Sequence, residues 1–496
     1  MSLEITPYAD RRRQPTVAVV TGNPEELRYI SNDGTAREGD PETLWRELAQ
    51  REKYTRLTMS RGKLRARTVD GSPPIIVAAK RGSIRDLVRT CDARHWEGLR
   101  STHGKYKTLV HDGGPTVRRL GVTADLEPAA DGLFTFVEFC NSHGVRFNGS
   151  IAGAGLSLFR TTLVEPIRFW APPQAIDALW PGRREYWHEP KRWYEMAYFD
   201  LKAAYPAALK EDGIPTHWHQ IDPLKWQEHK DGFSYARTYT PSSNPLPNPL
   251  PMRLRPGSRR ESISWASGAF RGTYPHRDLT NALSVDTWVT PEETWVPTRY
   301  TDAFASPAWQ ALRAEMRALP GLAGTLGKMA DNGLWGMFAF DNSEDIRVRW
   351  RTRDGDMSKS IEQKKVGVRK VHGIGVALAA TARVRQSLWE GIRQTDAIYC
   401  DTDGMIAPDT ATPYPNSGTD GTWILKDKLG VLDVKAPQVY RWLNLEDFDW
   451  HYLGESAVNF KTAPITNGQR HGDDMGTAPA MSVRIAHIRK LLDGSE

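Results

Sequence analysis

Cysteine is nearly absent. Cys91, Cys140 and Cys400 are the only three in 496 residues, and none stands in CxxC or Cys/His spacing. That excludes a disulfide framework and a zinc module, and it fits a reducing, cytoplasmic setting. Long apolar runs are also missing, so no membrane partner is expected. The opening "MSLEITPYADRRRQPTVAVV" lacks the apolar stretch of a secretory leader. There is no internal repeat. Charge of one sign is not in large excess: 66 basic residues face 60 acidic ones, giving +6 and a pI near 9.0. The balance leans slightly towards a polyanionic partner. Tryptophan, by contrast, is plentiful at 18 residues. Most belong in a core, and some are suited to stacking on bases. Apolar residues at 39% support a sizeable core, and the length suggests several domains or one large one.

Residues 16–170 mix short apolar runs ("TVAVV", "PIIVAAK", "LFTFVEF") with helix-like stretches such as 42–51, an α/β pattern. The basic run Lys53, Arg56, Arg61, Lys63, Arg65, Arg67 reads first as a solvated face and second as a nucleic-acid contact. Residues 216–305 contain "SSNPLPNPLPMRLRPGSRR", which suits neither a helix interior nor a central strand, and the segment reads as an extended, partly loop-like insertion. Helix is expected over 307–340 and 374–394, a hairpin at Asp354–Gly355, and an amphipathic helix in "MSVRIAHIRKLL".

Three segments carry chemistry. "YCDTDGMIAP" (399–408) sets Asp401 and Asp403 one residue apart beside a glycine. Asp-Gly between apolar runs is a hairpin signal, and the same pair is half of a divalent-metal site if a third carboxylate arrives. "YEMAYFDLKAAYPAAL" (194–209) reads as a strand ending at Asp200 and then a helix with Pro206 in its first turn. Asp200 there is either a capping residue or a side chain projecting into a cleft. In "GKMADNGLWGMFAF" (327–340), helical spacing puts Lys328, Asn332, Trp335 and Gly336 on one face and Leu322, Leu326, Met329 and Gly333 on another. This is a generic amphipathic helix or a grip for a phosphate and a flat ring.

Together the three resemble, in order, motifs A, B and C of the family B DNA polymerases: "DLKAAYP", "KMADNGLWG" and "YCDTDG". "LWPGRRE" (179–185) resembles the segment before motif A. "AATARVRQSLWEGI" resembles the helix before motif C. "QVYRW" sits where the family has K-x-Y, and "FKTAPIT" resembles the following strand. The resemblance spans about 175–470, and the long insertion between A and B resembles the compact protein-primed branch.

The resemblance implies an α/β (α+β) right-hand fold preceded by a degenerate ribonuclease-H-like exonuclease domain. The implied boundaries are 1–170 exonuclease-like, 171–215 palm, 216–305 insertion for a priming protein or DNA, 306–340 fingers, 341–372 second insertion, 373–445 palm and 446–496 short thumb. It implies a DNA polymerase using DNA template and primer, deoxynucleoside triphosphates, two Mg²⁺ ions with Mn²⁺ able to substitute, and a terminal priming protein, acting as a monomer. Asp200, Asp403 and the Leu201 carbonyl would bind metal, with Asp401 intermittent; Lys328 and Arg317 would meet the triphosphate. Asn332 and Trp335 would line the base pair and Tyr205 would exclude a 2′-hydroxyl. Trp180, Gly182, Arg183, Tyr440 and Lys461 would contact DNA. Departures from the motifs are Ala203, Gly333, Trp335, Gly404 and Gln438. The early strand "TVAVVTGNPEEL" lacks the exonuclease D-x-E pair, and Asp125 and Glu127 read as surface residues, so no proofreading is expected. A catalytically idle nucleic-acid-binding protein on the same scaffold is the alternative.

Overall fold

The computed structural model describes residues 2–9, the strands between 17 and 119, residues 126–147, 151–188, 191–243, 246–254, 262–338, the strands 344–353 and 356–365, and residues 373–436, 439–443 and 450–453. The chain divides into two compact units. One comprises residues 1–3, 169–305 and 373–496, the other 4–168 and 306–372. Among the described residues, no helix is long and apolar enough to cross a membrane.

The first unit is built on a seven-stranded antiparallel sheet in the order Arg183–Tyr186, Tyr399–Thr402, Gly404–Pro408, Lys191–Leu201, Trp423–Ala436, Val439–Leu443, Trp450–Leu453. The expected strand up to Asp200 is thus the central one, and the helix Ala204–Lys210 follows it. A core of Tyr186, Met196, Ile398, Tyr399, Ile406, Leu429, Leu432, Val434 and Tyr440 packs on the sheet. The expected helix before "YCDTDG" runs Ile374–Gln394 and is buried along nearly its whole length. The last strand, Trp450–Leu453, extends this sheet into the stretch assigned to a thumb.

The 216–305 segment is more regular than its prolines suggested. Four antiparallel strands run in the order Ile214–Ile221, Trp288–Thr301, Phe233–Thr240, Gly268–Pro275, with a helix at His276–Leu283. Trp288–Thr301 is an interior strand that contains Pro291 and Pro297. The pairing register shifts at Ala236/Pro291 and at Trp218/Pro297. A proline is tolerated there because the ladder is already interrupted.

In the second unit, a six-stranded mixed sheet runs Ala36–Gly39, Glu26–Ser31, Val17–Asn23, Ile76–Ala79, Thr116–Arg119, Thr108–Val110. Val17–Asn23, Ile76–Ala79 and Thr116–Arg119 are parallel. "LFTFVEF" is helical, within Leu126–Ser142, and a second helix spans Ile151–Thr161. The expected helix over 307–340 is two helices, Pro307–Arg317 and Gly321–Phe338. The buried face of the latter is Ala323, Leu326, Gly327, Ala330 and Leu334, while Met329 is exposed. The packing face is therefore rotated from the one expected. Small residues set it: a Cβ on Gly155 would collide with the Ala330 carbonyl, and one on Gly333 would stand 2.8 Å from Ala152 Cβ. Gly333, where the motif has serine, lets the two helices approach. The strands Glu344–Arg353 and Asp356–Lys365 pair with Arg353 opposite Asp356, so they flank the expected hairpin position, and the first also pairs with Tyr54–Ser60. The helix-like stretch 42–51, Asp125, Gln438, Lys461 and the C-terminal amphipathic segment lie outside the described residues.

Candidate active site

The sheet register gathers the site. Asp200 ends the central strand opposite Gly404, Asp401 pairs with Gly404 from the other side, and Arg184 pairs with Asp401. The row Arg184–Asp401–Gly404–Asp200 therefore crosses four adjacent strands. The hairpin loop is Thr402–Asp403, one residue earlier than the Asp-Gly signal suggested. Thr402 has φ 62°, a left-handed conformation rare for a β-branched residue. The Asp403 amide donates to the Asp401 carbonyl at 2.7 Å, and the Leu201 amide donates to the Asp403 carbonyl at 2.8 Å. That second bond ties the end of the central strand to the loop.

Cations stand at the rim. Arg184 Nε lies 2.8 Å from Asp401 Oδ1, and Lys426 Nζ lies 3.3 Å from Asp200 Oδ2. The Thr402 hydroxyl donates to Asp401 Oδ1 at 3.1 Å and the Tyr399 hydroxyl to Oδ2 at 3.4 Å. Asp401 is thus held by its own surroundings. Among the described residues Asp403 has no cation at ion-pair distance, and its carboxyl is pushed up to about 7, first by burial and then by repulsion from Asp200 and Asp401. Among the described residues, no three His, Cys, Asp or Glu side chains gather tightly enough to ring a metal ion. The best donor pair is Asp200 with Asp403. Both offer hard carboxylate oxygens in a place with surplus negative charge, which suits Mg²⁺ or Mn²⁺.

Gly404 does not take a left-handed conformation. It is needed for space: a Cβ there would collide with the Tyr198 hydroxyl and stand 2.7 Å from Cζ. The phenol of Tyr198 sits near all three aspartates, and its ionisation is suppressed by burial first and then by Asp200. Tyr205 is also buried near Asp403, and burial likewise suppresses its ionisation.

Of the residues expected to contact DNA, Trp180, Arg183 and Tyr440 have buried side chains. Trp180 stacks on Tyr274 with ring centroids 5.9 Å apart and donates its Nε1–H to the Thr273 carbonyl. Arg183 is buried 2.6 Å from Glu185, with the rings of Trp187, Trp265 and Trp389 each within 5.7 Å. Burial lowers its guanidinium to about 10. Tyr440 packs against Tyr399 at 5.5 Å. Gly182 makes room for Thr402: a Cβ would stand 2.7 Å from Thr402 Cγ2. Trp180, Arg183 and Tyr440 thus have buried side chains, Trp180 within the insertion's core, while Gly182 packs closely on the hairpin. Arg184 and Lys426, which sequence reasoning missed, are, among the described residues, the cations paired with the site's aspartates.

Lys328, Asn332, Trp335 and Arg317 belong to the other unit. There Lys328 is exposed, and the Asn332 side-chain oxygen is buried without a hydrogen-bond partner among the described residues. Arg317 lies 3.3 Å from the buried Asp331, which Arg313 also meets at 2.9 Å. Binding of a triphosphate by Arg317 would have to compete with that pairing.

A mixed α/β architecture with two aspartate-bearing strand ends around one hairpin defines the class of structure. Among solved structures the chain is similar to phi29 DNA polymerase complexed with primer-template DNA and incoming nucleotide substrates, at TM-score 0.59 and 11% identity, covering 92% of this chain and 95% of that one. It is also similar to phi29 DNA polymerase complexed with single-stranded DNA, at TM-score 0.58 and 11% identity, covering 91% and 94%. No protein-family profile and no curated sequence matches. At this identity the likeness shows a shared fold.

Proposed function

We propose that this chain is a DNA-templated DNA polymerase that adds deoxynucleotides to a primer 3′-hydroxyl. The observation that carries the reading is the register that sets Asp200 opposite Gly404, beside Asp403 in the hairpin loop, where burial and the repulsion of Asp200 and Asp401 push the Asp403 carboxyl up to about 7, on a fold similar to that of phi29 DNA polymerase. Two divalent cations, when bound, would supply Lewis-acid stabilisation of the attacking and leaving oxygens. Asp200 and Asp403 would hold them, with the Leu201 backbone beside them. Asp401, gripped by Arg184, would fix the turn and approach the metals intermittently. Lys328 would neutralise the triphosphate, and Asn332, with its unpartnered oxygen, would line the nascent pair with Trp335. DNA template and primer and deoxynucleotides are the partners; a terminal protein, or another unusual primer, fits the long insertion. Replication of a virus, plasmid or mobile element is the setting. The mixed sheet of the N-terminal region supports an exonuclease-like domain, and the strand Val17–Asn23, "VAVVTGN", carries no carboxylate for proofreading.

The test is extension of a labelled primer on a DNA template with Mg²⁺ and separately with Mn²⁺, comparing wild type with Asp403→Ala. Extension lost only in the variant supports the reading. A wild type that binds DNA but extends neither a DNA primer nor a protein primer would be the idle scaffold. Tyr205, buried beneath the site, would act as the sugar gate. Tyr205→Ala should incorporate ribonucleotides more readily, and unchanged discrimination would remove that role.

A further inference from the structure

The insertion sheet has a face that the proposed chemistry does not use. Along Phe233–Thr240 the side chains alternate: Ser234, Ala236, Thr238 and Thr240 are buried, while Tyr235, Arg237 and Tyr239 point outward. The register sets Tyr239 opposite Trp288 and Arg237 opposite Arg271. Trp288 is 75% exposed, Tyr239 48% and Tyr235 37%. The Tyr239 and Trp288 rings stand edge to face, 6.4 Å apart. Three large rings left in water on one flat face mark an interaction surface.

The charges indicate what covers it. Directly opposed arginines on neighbouring strands repel each other. A single carboxylate serves both: Glu292 Oε1 lies 2.6 Å from Arg237 Nε and 3.9 Å from Arg271. Glu293 stands opposite Tyr235 on the same face, so the two arginines and two glutamates balance, and Arg271, 3.9 Å from Glu292, is the guanidinium held least closely. Rings and guanidiniums alternate along the strand at about 3.4 Å per residue. That pattern offers stacking faces to bases and a cation to the phosphates between them. Bases already paired in a duplex cannot reach such rings.

We propose that this face binds single-stranded DNA, with bases stacked on Tyr235, Tyr239 and Trp288 and phosphates near Arg237 and Arg271. The site is independent of the aspartate chemistry. The first test is photo-crosslinking of the full chain to an iodouracil-substituted oligothymidylate, followed by peptide mapping. Adducts are expected on the peptides containing Tyr235, Tyr239 and Trp288. The second is fluorescence anisotropy with a labelled oligothymidylate. The variant combining Tyr239→Ala and Trp288→Ala should bind at least about tenfold more weakly, with its melting temperature unchanged. Trp288→Phe, which keeps a ring, should stay near wild type, and Arg271→Ala should reduce the salt slope by about one. No adducts on these peptides, or unchanged affinity in the double variant, overturns the proposal, including the case where the face serves a protein. Primer extension by the double variant separates the two readings. Loss of oligothymidylate binding with extension retained supports both. Ring-dependent binding by a wild type that extends no primer keeps this site and removes the polymerase.

Discussion

Two sets of carboxylates in the first unit contain the same residue types and do opposite things. Behind the sheet, Glu185, Asp231 and Asp278 are buried, and each meets a guanidinium: Arg183 at 2.6 Å, Arg277 at 2.9 Å with Arg383 at 3.0 Å, and Arg385 at 2.7 Å. Asp231 and Asp278 fasten the Ile374–Gln394 helix to the insertion through Arg383 and Arg385, while Glu185 holds Arg183 within their own strand. At the hairpin, three aspartates share two rim cations, and Asp403 is left over. A charge neutralised by its own fold serves the fold. A charge left over by the fold is available to a ligand from outside.

Removing one member from each set should separate the two behaviours most sharply. Asp403→Ala should lower primer extension by at least about 10³-fold, the several kcal/mol expected of a lost metal ligand. Its melting temperature should hold or rise, because a repulsive carboxylate has gone. Asp278→Ala should do the reverse. It leaves Arg385 buried and uncompensated, costing about 3–5 kcal/mol of stability, readable as a lower denaturant midpoint. Unfolding of the Asp403 variant, or an unperturbed melting curve for the Asp278 variant, would break the comparison.

The buried set also predicts a pH effect. His276 neighbours Asp278 on the same helix, and burial depresses its imidazole to about 4. Its Nδ1 faces the His229 carbonyl at 2.6 Å and its Nε2 the Ser234 hydroxyl at 3.0 Å, which suits a neutral ring with Nδ1 protonated. Below about pH 6.5 the unfolded chain takes up a proton that the folded chain refuses. Stability from this group is therefore complete above about 6.5 and falls as pH drops towards 4, by on the order of 2–3 kcal/mol. Denaturant melts from pH 7 to 4.5 should show that slope, and His276→Gln should flatten it. An equal slope in the variant would place the pH effect on other groups.

The hairpin set was legible because its members sit in short linear segments: a strand end and a two-residue turn. What surrounds it was not. Arg183 and Arg184 are adjacent, and strand alternation sends one into the core and the other to Asp401. Nothing local decides that parity; the pairing with Tyr399–Thr402 does. Lys426 reaches Asp200 from a strand whose register is itself bulged. In the insertion, the described residues of the proline-rich stretch before Met252 carry no helix or strand, as its prolines argued, whereas the strand holding Pro291 and Pro297 is admitted by bulged pairing. The fold class needed only alternation and order of elements. The partners of the site needed tertiary register.

The smallest effect tests why this hairpin has a glycine where the motif has serine. The Tyr198 ring occupies the space a side chain at Gly404 would fill. Gly404→Ser should therefore force the ring aside and cost about 1–3 kcal/mol, as overpacking does. Tyr198→Leu removes the hydroxyl and the ring carbon that stand closest. Combining the two should recover part of the loss, with a coupling of about 0.5–3 kcal/mol in a double-mutant cycle. Additive effects would mean that Gly404 is required by the turn and not by Tyr198. Coupling would mean that the phenol and the glycine form one unit, in which a ring beneath the turn sets the distance between Asp200 and Asp401.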